Sequence, residues 1–267
     1  MSDRFRPQVT AGGRSAGDVT RALLLDALGT LVELEPPVEP LRRELRERCG
    51  LEVSAAEAAV ALRAEIAFYR AHHDDASDRE RLADLRRRAT EALRDALATA
   101  GEGGAPAGAA ARTSTREIPL ASLEQALLAA LRFRPFAEVP DVLREARERG
   151  VRLVVVSNWD VSLHDVLDAT GLAPLLDGVV TSAELGSAKP DGAIFARGLA
   201  LAGVAAAEAL HVGDSVEHDV AGALAAGIEP LLVVRDGARG VGSDHAQVPP
   251  GVRTIPTLRP LLPILSA

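Results

Sequence analysis

The chain has 267 residues, 47% of them hydrophobic and 25% charged, a composition that supports one large globular domain or two modest ones. Its formal net charge of -8 argues against nucleic acid as a partner, because neutralising phosphates takes a basic surface, but leaves room for an anionic small molecule in a locally positive site. A single cysteine, Cys49, excludes an internal disulfide and a cysteine metal cluster; with no signal-like or membrane-length apolar run, a cytoplasmic protein without membrane contact is expected.

Residues 1–20 are polar and aperiodic and predict a flexible tail. "RALLLDA" predicts a short buried strand that ends at Asp26. Pro36, Pro37 and Pro40 then break the chain, and a helix is expected from Pro40 to Cys49. Residues 54–100 carry helical periodicity, opened by Ser54 and Glu57 at capping-box spacing. The low-complexity run "GEGGAPAGAAARTS", 101–114, predicts a mobile loop, and "LASLEQALLAALRF" a further helix.

After Pro135 the rhythm changes. "VPDVLREARERG" predicts a helix stopped by Gly150, and "VRLVVVSN" a strand. Helix "DVSLHDVLDATG", strand "LDGVVTS", helix "DGAIFARGLALAG", strand "ALHVGD", helix "EHDVAGALAAG" and strand "EPLLVVRDG" follow. "VRTIPTLRPLLPILSA" adds a short strand and a terminal helix.

This alternation predicts an α/β fold with a doubly wound parallel sheet over 21–35 and 136–267. The helical block 36–135 interrupts it after the first strand and reads as an inserted α-helical cap. Ligands of such sheets sit beyond the carboxyl ends of the strands. Three apolar runs end there in polar residues: Asp26, then Ser157 with Asn158, then Asp214 with Ser215.

Four stretches in order, "LLLDALGTL", "LVVVSN", "SAKPDGAIF" and "HVGDSVEHDVAGALAAG", resemble the motifs of the haloacid dehalogenase superfamily of hydrolases. The insert after the first motif resembles the cap of the subfamily that contains phosphoglycolate phosphatases and 2-haloacid dehalogenases. The resemblance implies a Rossmann-like core, with Asp26 as a nucleophile that forms a covalent aspartyl intermediate. It implies Mg²⁺ held by Asp26, the backbone carbonyl of Leu28 and Asp214, with Asp219 binding the ion or its waters, or supporting Lys189. Lys189 is then the positive charge that restrains Asp26 and the transferring group. The Ser157 hydroxyl donates to phosphate oxygens, and Asn158 either helps or caps the helix near Asp160.

Leu28 departs from the pattern. Phosphatases of this superfamily carry a second Asp there, which protonates the leaving group and then activates water. Glu33 and Asp160 are candidate substitutes. Halide needs no protonation, so 2-haloacid dehalogenases dispense with that acid and work without metal. Against that alternative stand Asp214 and Asp219, and Phe195 where those enzymes have tyrosine. Phosphonatases use a cap lysine, whereas Lys189 is the only lysine of this chain. The expected function is Mg²⁺-dependent hydrolysis of a small phosphorylated molecule; the alternatives are a 2-haloacid dehalogenase and a catalytically weak protein that binds a ligand or partner.

Other polar residues have structural explanations. Asp191 is expected to cap a helix, His211 to sit in the core, and Glu217 and His218 to be solvated. His72, His73, Asp74 and Asp75 could suggest a second metal site, but they end a helix of the cap. Tyr69 and Arg70 are the cap residues proposed to reach a substrate.

Overall fold

A computed structural model describes residues 19–102, 115–235 and 247–265. Most of the expected tail and of the expected mobile loop therefore lies outside the described residues.

The apolar run before Asp26 is too short for a helix and forms strand β1 (Ala22–Leu25), buried at all four positions. It lies at the centre of a parallel sheet. On one side are β4 (Arg152–Ser157) and β5 (Gly178–Thr181); on the other are β6 (Ala209–Gly213), β7 (Glu229–Val233) and β8 (Arg253–Ile255). The order is β5-β4-β1-β6-β7-β8, so the winding reverses at β1. That reversal opens a crevice at the carboxyl ends of β1, β4 and β6.

The pleat of the strands divides two apolar cores. Leu23, Leu25, Leu153, Val155, Leu210 and Val212 face α5 (Val139–Glu148), α6 (Leu163–Ala169) and the C-terminal segment around Leu261. Leu24, Val154, Val156 and Val180 face the other way, onto Ile194 and Phe195 of α8 (Gly192–Ala202) and Ala223 of α9 (Ala221–Ala225). Each fully buried leucine contributes about 1.5–3 kcal/mol relative to exposure.

Two three-residue strands, β2 (Val32–Leu34) and β3 (Phe133–Pro135), pair antiparallel where the chain leaves and re-enters the sheet domain. The sequence reading misses this ribbon. Its strands are too short for a periodic signal and lie about a hundred residues apart. Between them run α1 (Val38–Cys49), α2 (Ala55–His72), α3 (Arg79–Glu102) and α4 (Leu120–Ala130). These helices close over their own core of Leu41, Leu45, Leu62, Leu93, Leu123 and Leu127. Helix α1 begins two residues before Pro40, since a proline in the first turn removes no intrahelical bond. Ser54 and Glu57 form the expected capping box of α2.

The insert meets the sheet domain at defined contacts. The Tyr69 hydroxyl donates to Asp160 at 2.8 Å, Arg79 makes two hydrogen bonds to Asp165 at 2.5 and 2.7 Å, and Ser182 donates to Asp74. Ala76, Leu82 and Leu85 pack with Val161.

Two elements differ from expectation. The terminal helix is only a turn of 3-10 helix, Arg259–Leu261, because Pro260 and Pro263 interrupt the apparent leucine periodicity. The helix expected over "EHDVAGALAAG" opens as a π-helical turn, Val216–Val220, before α9. No helix among the described residues is long and apolar enough to cross a membrane.

Candidate active site

Asp26 follows β1 directly, with its amide on the Val212 carbonyl at 2.9 Å, so it stands at the sheet's carboxyl edge. Ser157 ends β4 and donates its hydroxyl to Asp26 Oδ1 at 3.0 Å. Lys189 enters from the loop between α7 (Ser182–Leu185) and α8 and donates to the same oxygen at 2.5 Å. Both donors fall on Oδ1, so the other Asp26 oxygen is the one these contacts leave available. Lys189 Nζ also bonds Asp219 Oδ1 at 2.6 Å, and both side chains are almost wholly buried.

The π-helical turn after β6 aims Asp219 back at this lysine. Its amide and that of Val220 both bond the Ser215 carbonyl, and its Oδ2 accepts the Ser215 amide at 3.0 Å. A Cβ at Gly213 would lie 2.1 Å from Asp219 Cγ, so this approach requires glycine.

Asn158 joins the site indirectly. It donates to the Lys189 carbonyl at 2.9 Å and accepts the Lys189 amide at 2.7 Å, bracing the lysine's backbone instead of capping the helix near Asp160. His211 is fully buried as expected, with its ring edge-on to Phe195, but its Nε2 also bonds Asp219 Oδ1 at 2.8 Å. The strand alternation that turns His211 away from Leu210 and Val212 was the available signal for that role. His218 shares a hydrogen bond with Ser215 at 3.0 Å, and Asp191 caps α8 through the Ala193 amide.

Asp26, Asp214 and Asp219 offer oxygens within 4.8 Å of one another. Three carboxyls face one ammonium, so full ionisation would leave an excess of two negative charges in a buried crevice. Burial, then the charges of Asp26 and Asp219, push the Asp214 carboxyl up to about 8. Burial also raises Asp26 above the ordinary range, against the pull of Lys189. Burial disfavours ionised Asp219 too, but Lys189 and His211 hold it well below the usual carboxylate range. Lys189, despite burial, is held above its ordinary value by Asp219 and Asp26. An all-oxygen donor set whose full ionisation is held back for want of positive charge suits a hard divalent cation.

The loop after Asp26 is closely determined. Gly29 has φ +80, and a Cβ there would lie 2.1 Å from Asp214 Oδ2. The amide of Val32 bonds the Ala27 carbonyl and the amide of Gly29 bonds the Val32 carbonyl, so this bridge does not use the Leu28 carbonyl. Leu28 as a residue is 36% exposed.

Both candidate substitutes for the missing acid are engaged elsewhere. Glu33 pairs with Arg134, directly opposite it on the β2–β3 ribbon, at 2.9 Å. Asp160 is buried and accepts from Tyr69 and from the Ser162 amide. Tyr69 therefore docks the insert onto the sheet domain. His72 and His73 bond helix carbonyls, and the acidic trio above is the metal-capable cluster among the described residues.

Glu65, one turn before Tyr69, is a buried carboxyl that the sequence reading does not single out. Burial pushes it up to about 7 from 4.5. Its folded-state pKa is raised, so the folded protein holds the proton more tightly and loses stability as pH rises from about 4.5 through 7. Glu65→Gln should be immune to that loss and gain about 2–3 kcal/mol over the unsubstituted protein between pH 4.5 and pH 8 in urea denaturation. Equal pH dependence of the two proteins would count against it.

A doubly wound sheet with a helical insert after its first strand, and a carboxylate–serine–lysine cluster at the strand ends, has the architecture of a capped Rossmann-like hydrolase. The model of the haloacid dehalogenase-like hydrolases matches residues 20–227, and the chain belongs to that family. Over 123 residues it is 41% identical to haloacid dehalogenase-like hydrolase domain-containing protein 3 of Bos taurus, covering 46% of this chain and 48% of that protein. Over 123 residues it is 35% identical to a phosphoserine phosphatase of Thermus thermophilus, with the same two shares. These alignments span about half the length of the curated relatives. The L-2-haloacid dehalogenase of Xanthobacter autotrophicus superposes with a TM-score of 0.58 at 19% identity, covering 92% of this chain and 98% of that one, a likeness of fold alone.

Proposed function

We propose that the chain is a Mg²⁺-dependent hydrolase of small anionic phosphate esters in the cytoplasm, with Asp26 as nucleophile and with neither nucleic acid nor membrane as partner. The observation that carries this reading is the buried excess of carboxyl groups around Lys189, whose ammonium bonds Asp26 and Asp219 while the Asp214 carboxyl is pushed up to about 8. The similarity to a named phosphatase over half the chain supports it.

Asp26, Asp214 and the Leu28 carbonyl would hold the ion, with Asp219 beside them on Lys189. When bound, it would supply charge neutralisation between phosphate and nucleophile. Lys189 and Ser157 fix Asp26 Oδ1, so the other oxygen attacks phosphorus. The P–O bond to the leaving group breaks, and the alcohol takes its proton from water because Leu28 has none to give. Water then attacks the aspartyl phosphate, releasing inorganic phosphate and the Asp26 carboxylate. Lys189, with a third N–H beyond those on Asp26 and Asp219, offers positive charge to the transferring group, and the Ser157 hydroxyl can turn from Asp26 Oδ1 to a phosphate oxygen once phosphate is bound.

The test is phosphate release from a panel of phosphoesters with Mg²⁺, with EDTA, and with Asp26→Asn. Release that needs both Mg²⁺ and Asp26 is the expected result. Rates equal to those of Asp26→Asn across the panel would overturn the proposal. The second reading, a 2-haloacid dehalogenase, draws on the stretch "DALGTL", in which Leu28 stands where phosphatases have a second Asp. Halide release from 2-chloropropionate that survives EDTA would favour it.

A further inference from the structure

Arg235, just beyond β7, reaches into the nucleophile loop from a part of the chain that no site motif contains. Its Nε donates to the Gly29 carbonyl at 3.1 Å and its Nη2 to the Thr30 carbonyl at 2.7 Å. Its Nη1 donates to Glu138 Oε1 at 2.8 Å, an oxygen that also accepts the Leu258 amide. The guanidinium lies 3.4 Å from the centroid of the Phe136 ring, and both charged side chains are nine-tenths or more buried.

These partners belong to both crossings of the helical insert. Gly29 and Thr30 precede β2, where the chain leaves the sheet domain. Phe136 and Glu138 follow β3, where it returns, and the Phe136 amide bonds the Leu31 carbonyl at 3.1 Å. One planar fork of donors therefore joins the loop after Asp26 to the base of the insert. Lysine, a point charge on a flexible stem, cannot reproduce that geometry.

We propose that Arg235 is a positioning residue: by fixing the Gly29 and Thr30 carbonyls against the insert's return crossing, it sets the orientation of the Leu28 carbonyl toward the cation site. The physical link is the backbone at Gly29. The Leu28 carbonyl shares a peptide plane with the Gly29 amide, which donates to the Val32 carbonyl at 2.8 Å, and the two Gly29 torsions, with φ at +80, relate that plane to the carbonyl that Arg235 holds. Once the Gly29 and Thr30 carbonyls are pinned, the Leu28 carbonyl loses its freedom to swing. A partner that orients a ligand without touching the ion typically changes affinity by about 10–100-fold. The cation part of the inference presupposes the Mg²⁺-dependent hydrolase proposed for this site; the loop part does not.

Two measurements on the full chain separate these parts. Amide hydrogen exchange over Ala27–Val32 reports the loop without cation or substrate, and calorimetric titration with Mg²⁺ alone reports the ligand set. Arg235→Lys should speed exchange of the Gly29, Leu31 and Val32 amides while the strands of the sheet keep their protection. It should also weaken Mg²⁺ binding by about tenfold or more. Glu138→Gln keeps an acceptor for the Leu258 amide but removes the charge, and should move both readouts the same way by a smaller amount. If Arg235→Lys does not fold, Glu138→Gln decides. Unchanged exchange would overturn the proposal whether or not Mg²⁺ binds. Faster exchange with unchanged Mg²⁺ affinity would overturn its cation part. If the unsubstituted protein binds no Mg²⁺, the cation-dependent hydrolase fails instead, and exchange still decides the loop clamp.

Discussion

Leu28→Asp is expected to raise phosphate release from alkyl phosphate esters by about 10²–10⁴-fold, the usual worth of a placed general acid–base group. The substitution adds one carboxyl to a site that otherwise has the proposed nucleophile Asp26, its two donors and a cation-capable carboxylate cluster. Leu28 as a residue is 36% exposed, so the new carboxylate is not buried without a partner. The loop should keep its shape, because Gly29, the Ala27–Val32 bridge and Arg235 hold its backbone independently of the side chain at 28.

The gain should depend on the leaving group. An alkoxide needs a proton as the P–O bond breaks, whereas a phenolate of low pKa does not, so p-nitrophenyl phosphate should gain less. A bell-shaped pH profile should accompany the gain, because the same carboxyl must be protonated in the first step and ionised in the second. An unchanged rate on alkyl esters would mean that another group already delivers the proton. The engagement of Glu33 with Arg134 and of Asp160 with Tyr69 argues against those two.

Much of the fold was legible because its signals are local. The apolar run before Asp26, the polar endings at Ser157 and Asp214, and the strand–helix alternation are each contained in a few consecutive residues. What escaped the sequence is non-local or geometrically fine. Arg235 carries no local signal beyond its place in "EPLLVVRDG", and its partners are 206, 205 and 97 residues away. The β2–β3 ribbon is invisible for the same reason. A π-helical turn differs from an α-helical one by a single residue of hydrogen-bond register, and apolar periodicity cannot resolve that difference over five residues. Asn158 was read by its proximity to Ser157, but its amide matches the Lys189 backbone. Leucine spacing predicts a terminal helix, but Pro260 and Pro263 leave only a 3-10 turn.

Lys189→Met should be the most costly single change at the site, at about 3–5 kcal/mol of stability near neutral pH, the usual cost of leaving a buried charge unpaired. The methionine fills similar space, so the loss is electrostatic rather than a cavity. Lys189 is the ammonium that bridges Asp26 and Asp219 at 2.5 and 2.6 Å. Without it, burial and mutual repulsion act on the three carboxylates with only hydrogen bonds opposing them.

The sign of the pH dependence distinguishes this from a packing defect. In the unsubstituted protein, Asp219 is held well below its ordinary value, so its contribution is present above about pH 4 and lost only as pH falls through its folded-state pKa. In Lys189→Met, Asp219 should instead be raised in the folded state, and Asp26 and Asp214, already raised, should be pushed further up. Their folded and unfolded forms then match best in mild acid, and stability falls as pH climbs from about 4 toward 8. Urea denaturation at pH 5 and pH 8 should therefore show the variant losing ground as pH rises. Added Mg²⁺ should recover part of the loss at pH 8, because an ion bound only by the folded state stabilises it by mass action. Hydrolysis should fall by about 10²–10³-fold with or without that recovery, if Lys189 meets the charge of the transferring group as proposed. A deficit equal at both pH values and indifferent to Mg²⁺ would show that Lys189 fills space rather than balancing the carboxylates of the crevice.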